Sequence, residues 1–173
     1  MLFRSLLVPM VATPEQLVAV RRHAAAAAAR AGLGVPLVGA MLETPAAVEA
    51  APLLAAAADF FSLGTNDLTV ATLGVGRTDE SVGPAQTAQP DVLQLVEDAV
   101  HAAGAAGRPI SVCGDAAADP DVLPLLLGAG LTTVSVAPSR LDQVRGLVRA
   151  TSVAESGQRL AGLLGAQAGV SGG

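Results

Sequence analysis

The hydrophobic positions of the chain fall into short continuous runs that alternate with longer amphipathic segments. The runs predict five β-strands, at residues 6–10, 37–42, 60–63, 110–113 and 133–136. The segments that follow them predict helices at 14–31, 45–57, 90–106, 120–128 and 138–150. Continuous apolar strands between helices are typical of a parallel sheet whose faces are covered. We therefore predict an α/β fold made of five strand–helix units.

Proline marks the start of each predicted helix, because its fixed φ suits the first helical position. Five units do not close an eight-stranded barrel. The pattern leaves open whether they form an open doubly wound sheet or a piece of a (β/α)8 barrel. We expect residues 1–150 to form this domain, and 151–173 to form a C-terminal helix and a flexible tail.

Composition excludes several classes of function. The chain has 173 residues and a net charge of −5, and all ten of its basic residues are arginine. The absence of lysine excludes Schiff-base chemistry and a P-loop lysine. With one cysteine, no tryptophan and no tyrosine, we expect neither a cysteine-based zinc site nor nucleic-acid binding by stacking. No apolar run reaches the roughly 18 residues of a membrane span, so we expect a cytoplasmic chain.

Polar side chains follow two of the predicted strands. Glu43 follows strand 37–42, and Asn66 and Asp67 follow strand 60–63. The carboxyl ends of parallel strands are where such folds bind ligands. Two carboxylates at that edge suit a hard divalent cation such as Mg²⁺. The alternative is that each carboxylate caps the helix or turn behind it.

Two further candidates lie at the same end of the sheet. Arg77 is in a glycine-flanked part of the long connection 64–89, where it can grip a phosphate or carboxylate. Its alternative is a surface ion pair with Asp79 or Glu80. Cys113 ends strand 110–113 and can act as a general acid or nucleophile, or can be an inert packing residue.

Four segments together resemble the phosphoenolpyruvate-utilising enzymes, and within them the phosphoenolpyruvate-protein phosphotransferases of the bacterial sugar phosphotransferase system. The segments are residues 39–47, 59–69, 112–115 and 124–130. The sequence Gly-Thr-Asn-Asp-Leu-Thr at 64–69 is highly specific. The resemblance implies a partial (β/α)8 TIM barrel, corresponding to strands four to eight of the family's phosphoenolpyruvate-binding barrel.

The resemblance also implies roles for the candidate residues. Glu43 and Asp67 match Mg²⁺ ligands, and Asn66 and Arg77 match residues that bind the substrate. Cys113 matches the thiol that protonates C3 of the enolate to give pyruvate. The implied function is Mg²⁺-dependent phosphoenolpyruvate binding, with phosphoryl transfer to a histidine located elsewhere.

The chain also departs from the family. The resemblance does not include the family's first three strands or the arginines they carry, and Asp115-Ala116 stand where the family has Glu-Met. We therefore expect a homo-oligomer, or a partner that supplies the missing barrel strands. Two alternatives follow: an inactive remnant that binds a small carboxylate or a protein, and a Mg²⁺-dependent lyase of the pyruvate or oxaloacetate type.

Overall fold

A parallel β-sheet forms the centre of the computed structural model, which describes residues 5–76 and 83–168. In this part of the chain the strands are β1 (Ser5–Val8), β2 (Leu37–Leu42), β3 (Phe61–Gly64) and β4 (Ile110–Cys113). They lie in the order in which they occur along the chain, and every neighbouring pair is parallel. Sequential parallel strands need a crossover each time, and helices supply it.

The helices occupy most of the predicted positions. They are α1 (Pro14–Ala31), α2 (Pro45–Glu49), α3 (Ala51–Leu54), α4 (Thr65–Leu73), α5 (Pro90–Ala105), α6 (Leu123–Gly128), α7 (Leu141–Ala150) and α8 (Val153–Ala168). Short 3₁₀ helices lie at Pro84–Ala88, Asp115–Ala118 and Pro138–Arg140. In the described part of the chain, no helix combines the length and the hydrophobicity needed to cross a bilayer.

Two predicted elements differ from the observed ones. The single helix expected at 45–57 is divided into α2 and α3, because Pro52 in the first turn of α3 has no N–H to continue the helical ladder. The strand expected at 133–136 is reduced to one parallel bridge between Val134 and Val112. No further strand of the described residues pairs with its outer side, so nothing holds this segment extended beyond the bridge.

The two faces of the sheet have different environments. On the face covered by helices, the side chains of Val38, Leu42, Phe61, Leu63 and Val112 are buried. Because side chains alternate along a strand, the intervening residues point to the other face. There Leu37 is 54% exposed and Leu7 is 38% exposed. The sheet is therefore open on the side that would face the interior of a barrel.

The C-terminal helix packs closely on the rest of the fold. A Cβ added to Gly128 of α6 would lie 2.6 Å from the backbone carbonyl carbon of Ser156 in α8, so the two helices approach through a residue without a side chain. Leu160 of α8 is buried in a cluster with Leu93 and Leu125. The boundary placed after residue 150 remains a prediction.

An ion pair stabilises the amino-terminal end of the sheet. Arg21 Nη2 lies 2.8 Å from Asp59 Oδ2, which also accepts a hydrogen bond of 2.7 Å from Val38 N. Burial opposes ionisation of Asp59, but the hydrogen bonds from Val38 and Arg21 outweigh it and hold the pKa of this carboxyl below its ordinary value.

Candidate functional site

The register of the sheet brings four of the five predicted site residues to one edge. Gly64 is paired with Cys113, and Leu42 with Leu63. Glu43, the residue after β2, is therefore level with Gly64 and Cys113 across three neighbouring strands. Asn66 and Asp67 lie in the first turn of α4, which begins directly after Gly64. The fifth residue, Arg77, lies outside the described residues, and its role stays a prediction.

Glu43 is held in place by the loop after β1. The residue is only 4% exposed, and its Oε1 accepts a hydrogen bond of 2.6 Å from Met10 N. Met10 has a φ of 51°, which is unusual for a residue with a side chain. A charge-assisted hydrogen bond to Glu43 offsets the cost of that conformation. Among the described residues, Glu43 Oε2 has no hydrogen-bond partner, so one carboxylate oxygen is left for another ligand.

Gly64 allows the ends of β2 and β3 to approach each other. A Cβ at this position would lie 3.0 Å from Glu43 Cβ and 3.3 Å from Met41 Sδ. Both distances are shorter than ordinary van der Waals contact. A side chain at position 64 would therefore displace Glu43, which explains the glycine before the polar residues of α4.

A cleft of about 340 Å³ opens beside the start of α4. The residues that line it are Asn66, Asp67, Thr69, Val70, Gly83, Pro84, Thr87 and Asp115. The hydroxyls of Thr69 and Thr87 are 2.9 Å apart, and both residues are 2% exposed. This buried hydrogen bond ties the 3₁₀ helix Pro84–Ala88 to α4 and so fixes one wall of the cleft.

The thiol of Cys113 lies among polar groups of the sheet. Ser62 Oγ donates to Cys113 Sγ over 3.5 Å, and Sγ in turn donates to the carbonyl of Leu63 over 3.5 Å. Ser62 is 4% exposed, whereas Cys113 is half-buried. The thiol thus has a hydroxyl donor on one side and a carbonyl acceptor on the other. It is not enclosed by apolar side chains alone, as an inert packing cysteine would be.

Three hydrogen bonds join the turn after β4 to the start of α4. Thr65 Oγ1 donates to the carbonyl of Cys113 over 2.9 Å. Asn66 Nδ2 donates to Asp115 Oδ2, and Asp115 N donates to Asn66 Oδ1, both over 2.9 Å. We call the reciprocal pair formed by Asn66 and Asp115 the clasp. It connects the first turn of α4, which carries Asn66, to the turn that follows Cys113.

Sequence reasoning missed several residues of this site, namely Ser62, Thr69, Thr87 and the role of Asp115. Ser62 had a usable signal, because it is two residues before Gly64 and so lies on the same face of β3 as the site. Thr69 belongs to the Gly-Thr-Asn-Asp-Leu-Thr motif, but its pairing with Thr87 gave no signal, because the hydroxyl bond joins residues 18 positions apart.

The carboxylates at this edge form a sparse set. In residues 5–76 and 83–168, no group of three or more His, Cys, Asp or Glu side chains is arranged to hold a metal ion. Glu43 and Asp67 thus offer at most two protein carboxylates, and Asp67 is not without an interaction of its own. Mg²⁺ commonly takes one or two carboxylates and completes its shell with water and substrate oxygens. The donor set therefore fits Mg²⁺ better than a cation that needs an all-protein cage.

Comparison with known families decides the classification. The model of the PEP-utilising enzyme, PEP-binding domain matches residues 2–153. The chain belongs to this family. A phosphoenolpyruvate-protein phosphotransferase of Cupriavidus necator is 46% identical over 109 residues, which are 62% of this chain and 19% of that protein. A phosphoenolpyruvate-protein phosphotransferase of Haloferax volcanii is 37% identical over 158 residues, which are 88% of this chain and 28% of that protein.

A multiphosphoryl transfer protein of Xanthomonas campestris is 36% identical over 148 residues, which are 84% of this chain and 17% of that protein. The chain thus spans less than a third of each of these three relatives. The predicted resemblance to phosphoenolpyruvate-protein phosphotransferases is confirmed.

Two solved structures with a similar fold are named as citrate lyases. A citrate lyase from Burkholderia xenovorans has a TM-score of 0.64 at 19% identity, over 83% of this chain and 48% of that one. A citrate lyase beta subunit from M. tuberculosis, complexed with oxaloacetate and magnesium, has a TM-score of 0.55 at 22% identity, over 84% of this chain and 61% of that one. These likenesses concern the fold alone. They confirm the predicted fold class, a partial (β/α)8 barrel.

Proposed function

We propose that this domain binds phosphoenolpyruvate with Mg²⁺, that the phosphoryl group passes to a histidine located elsewhere, and that Cys113 protonates the resulting enolate to pyruvate. The observation that supports this most is the register of β2, β3 and β4, because these strands end at the same edge of the sheet. Glu43 follows β2 there, Asn66 and Asp67 follow β3, and Cys113 ends β4. A cytoplasmic location belongs to the same proposal.

Glu43 and Asp67 are the residues that would hold Mg²⁺. The second oxygen of Glu43 has no hydrogen-bond partner among the described residues. Asp67 lines the cleft, whereas Glu43 does not line it but follows β2 at the same edge of the sheet. When bound, the cation would neutralise negative charge on the phosphoryl and carboxylate oxygens of the substrate. Without a cation, the carboxylates of Asp67 and Asp115 would repel a ligand that is itself an anion.

Asn66 and Arg77 are the proposed substrate-binding residues. Phosphoryl transfer depends on positioning and on charge stabilisation more than on covalent help from the protein. Asn66 lines the cleft next to Asp67, so it can hydrogen-bond an oxygen of a ligand held there. Arg77 would supply a positive charge to the same anion.

Cys113 is the proposed proton donor. After the phosphoryl group has left, the S–H bond of Cys113 breaks, and its proton forms the new C–H bond at C3 of the enolate. The product is pyruvate, and the sulfur is left as a thiolate. The hydroxyl of Ser62, 3.5 Å from Sγ, can stabilise that thiolate by donating a hydrogen bond. Reprotonation from solvent then restores the thiol.

Calorimetry tests the binding part of this proposal. Wild type, Asp67→Ala and Asp98→Ala are titrated with phosphoenolpyruvate or oxalate, with and without Mg²⁺. We expect binding that requires Mg²⁺, that is lost in Asp67→Ala, and that is kept in Asp98→Ala, whose exposed carboxylate lies on α5. Binding by wild type that survives both metal removal and Asp67→Ala would contradict the metal role.

Exchange of the C3 protons of pyruvate with deuterated solvent tests the thiol. Cys113→Ala should bind oxalate like wild type and should lose the exchange that NMR detects in wild type. Exchange at the wild-type rate in Cys113→Ala would show that another group carries the proton.

A lyase of the pyruvate or oxaloacetate type is the second candidate. It is supported by the fold of the citrate lyase beta subunit, which was solved with oxaloacetate and magnesium. Such an enzyme would need no phosphohistidine. If wild type cleaved oxaloacetate and showed no Cys113-dependent exchange of the C3 protons of pyruvate, the lyase function would be favoured over phosphoryl transfer.

We also propose that the open face of the sheet is covered in the working protein, by a second copy or by a partner that supplies further barrel strands. The exposed Leu7 and Leu37 support this, because a barrel interior is normally filled with side chains. An inactive remnant that binds a small carboxylate or a protein partner would show none of the metal-dependent binding described above.

A further inference from the structure

The clasp between Asn66 and Asp115 determines which hydrogen-bonding group Asn66 can offer to a ligand. The backbone N–H of Asp115 can only donate, so the group that faces it over 2.9 Å must be the carbonyl oxygen of Asn66. The carboxylate of Asp115 can only accept, so the group that faces it must be the Asn66 amide nitrogen. The chemistry of the partners therefore fixes the orientation of the amide.

The amide nitrogen and the amide oxygen of Asn66 then each have one of their two hydrogen-bonding positions occupied. Nδ2 carries two hydrogens, and Asp115 takes one of them. The second hydrogen has no partner among the described residues, and Asn66 is exposed in the lining of the cleft. Rotation of the amide, which would present Oδ1 there instead, would break both hydrogen bonds of the clasp. Asn66 is thus held as a hydrogen-bond donor.

The turn that carries Asp115 packs closely against Asn66. Gly114 has a φ of 109°, and a Cβ at this position would overlap Thr65 Oγ1 and lie 2.7 Å from Asn66 Oδ1. The backbone of the turn therefore packs directly against the Asn66 amide. Thr65 Oγ1 holds the preceding carbonyl, that of Cys113, from the same side.

We infer that Asp115 is a positioning residue that orients Asn66 as a donor toward an anionic oxygen of the ligand in the cleft. This rests on the proposed function, which places an anion there. The inference explains how a carboxylate can line a cleft for anions, because Asp115 acts through Asn66 and need not touch the ligand. A metal-bound oxalate is the simplest probe of the donor role.

A charge-conserving exchange tests the inference directly. In the double variant Asn66→Asp/Asp115→Asn, the new amide can donate to the new carboxylate, and the backbone N–H of residue 115 still has its acceptor. Both hydrogen bonds and the net charge are kept, but the free donor has left position 66. We expect the melting temperature to stay near that of wild type and the affinity for Mg²⁺–oxalate to fall by about tenfold or more.

Three single variants separate donor loss from other effects. Asp115→Asn keeps an acceptor for Asn66 and removes one negative charge from the cleft, so it should bind at least as tightly as wild type. Asp115→Ala removes the same charge but also the acceptor, so it should bind more weakly than Asp115→Asn. Asn66→Leu removes the donor without adding charge and should lose affinity as the double variant does. Asp121→Asn, an exposed acid of the same connection, is the control and should change nothing.

The side-chain amide signal of Asn66 in ¹⁵N NMR gives a readout without any ligand. It can be assigned by its loss in Asn66→Leu, and it should shift in Asp115→Ala and stay in place in Asp121→Asn.

The outcomes distinguish this inference from the proposed function. If wild type binds oxalate and the double variant or Asn66→Leu binds equally well, Asn66 is not the donor and the inference is wrong, while the proposed function stands. An Asn66 signal unmoved in Asp115→Ala would also overturn it. If wild type fails to bind oxalate with Mg²⁺, the proposed function fails, and the ligand role of the clasp fails with it.

Discussion

The buried hydroxyl pair of Thr69 and Thr87 gives the sharpest stability prediction. Both side chains are 2% exposed and their hydroxyls are 2.9 Å apart. In Thr69→Val the shape is almost kept, but the Thr87 hydroxyl stays buried without its partner. Leaving a buried polar group unsatisfied costs about 1–3 kcal/mol. In Thr69→Val/Thr87→Val no hydroxyl is left without a partner, so the double variant should cost much less than the sum of the two single variants.

Thermal or urea unfolding followed by far-UV circular dichroism measures this, because the chain has no tryptophan or tyrosine to report by fluorescence. For a chain of this length, each kcal/mol lowers the melting temperature by about 2–4 °C. Thr72→Val is the matched control. Its hydroxyl lies on the same helix but donates to the carbonyl of Leu68, one turn earlier, and the residue is partly exposed. Additive costs in the double variant, or single variants as mild as Thr72→Val, would refute the reasoning.

Three other perturbations give distinct results. The pKa of Asp59 is lower in the folded protein than in the unfolded chain. Its carboxylate therefore stabilises the fold at pH values above the pKa of the unfolded state, and this stabilisation is lost as the pH falls through the pKa of the folded state. The unfolding free energy should therefore decrease below about pH 4, and Asp59→Asn should flatten that decrease in urea titrations. Gly114→Ala should lower the melting temperature and weaken binding, because it strains a φ of 109° and collides with Thr65; unchanged stability would contradict the close packing. Light scattering should detect association at micromolar concentration that Leu37→Glu reduces, and a wild-type monomer would count against a covered sheet face.

The bounds of strands and helices were predicted best where a short local sequence pattern determines them. Strands β2 and β4 and helix α1 have the predicted bounds, because each apolar run or capping signal lies within the element or directly beside it. The division of helix 45–57 at Pro52 also had a local cause that could have been weighed. The strand at 133–136 was overestimated, because a strand needs neighbours and its own apolar pattern does not reveal them.

The candidate site shows the same limit. The positions of Glu43, Asn66, Asp67 and Cys113 at one edge follow from strand order and from motifs, both of which the sequence contains. The groups that hold these residues do not. Asn66 and Asp115 are 49 positions apart, and Ser62 and Cys113 are 51 apart. Such pairs depend on register across the sheet, which a single sequence does not specify.

The contacts around the site indicate that ligand binding does not depend on association with a second copy or a partner. The ends of β2, β3 and β4 are joined within this chain, by the approach of Glu43 to Gly64, by the bond from Thr65 to the carbonyl of Cys113, and by the clasp. Leu37 lies on the open face at the amino-terminal end of β2, the opposite end from this edge, and makes none of these contacts. A partner that covers the open face is therefore not needed to assemble the edge. It follows that variants of Asp115 should change ligand affinity without changing the oligomeric state, and that Leu37→Glu should do the reverse; a single variant that altered both would show that the covering partner completes the site itself.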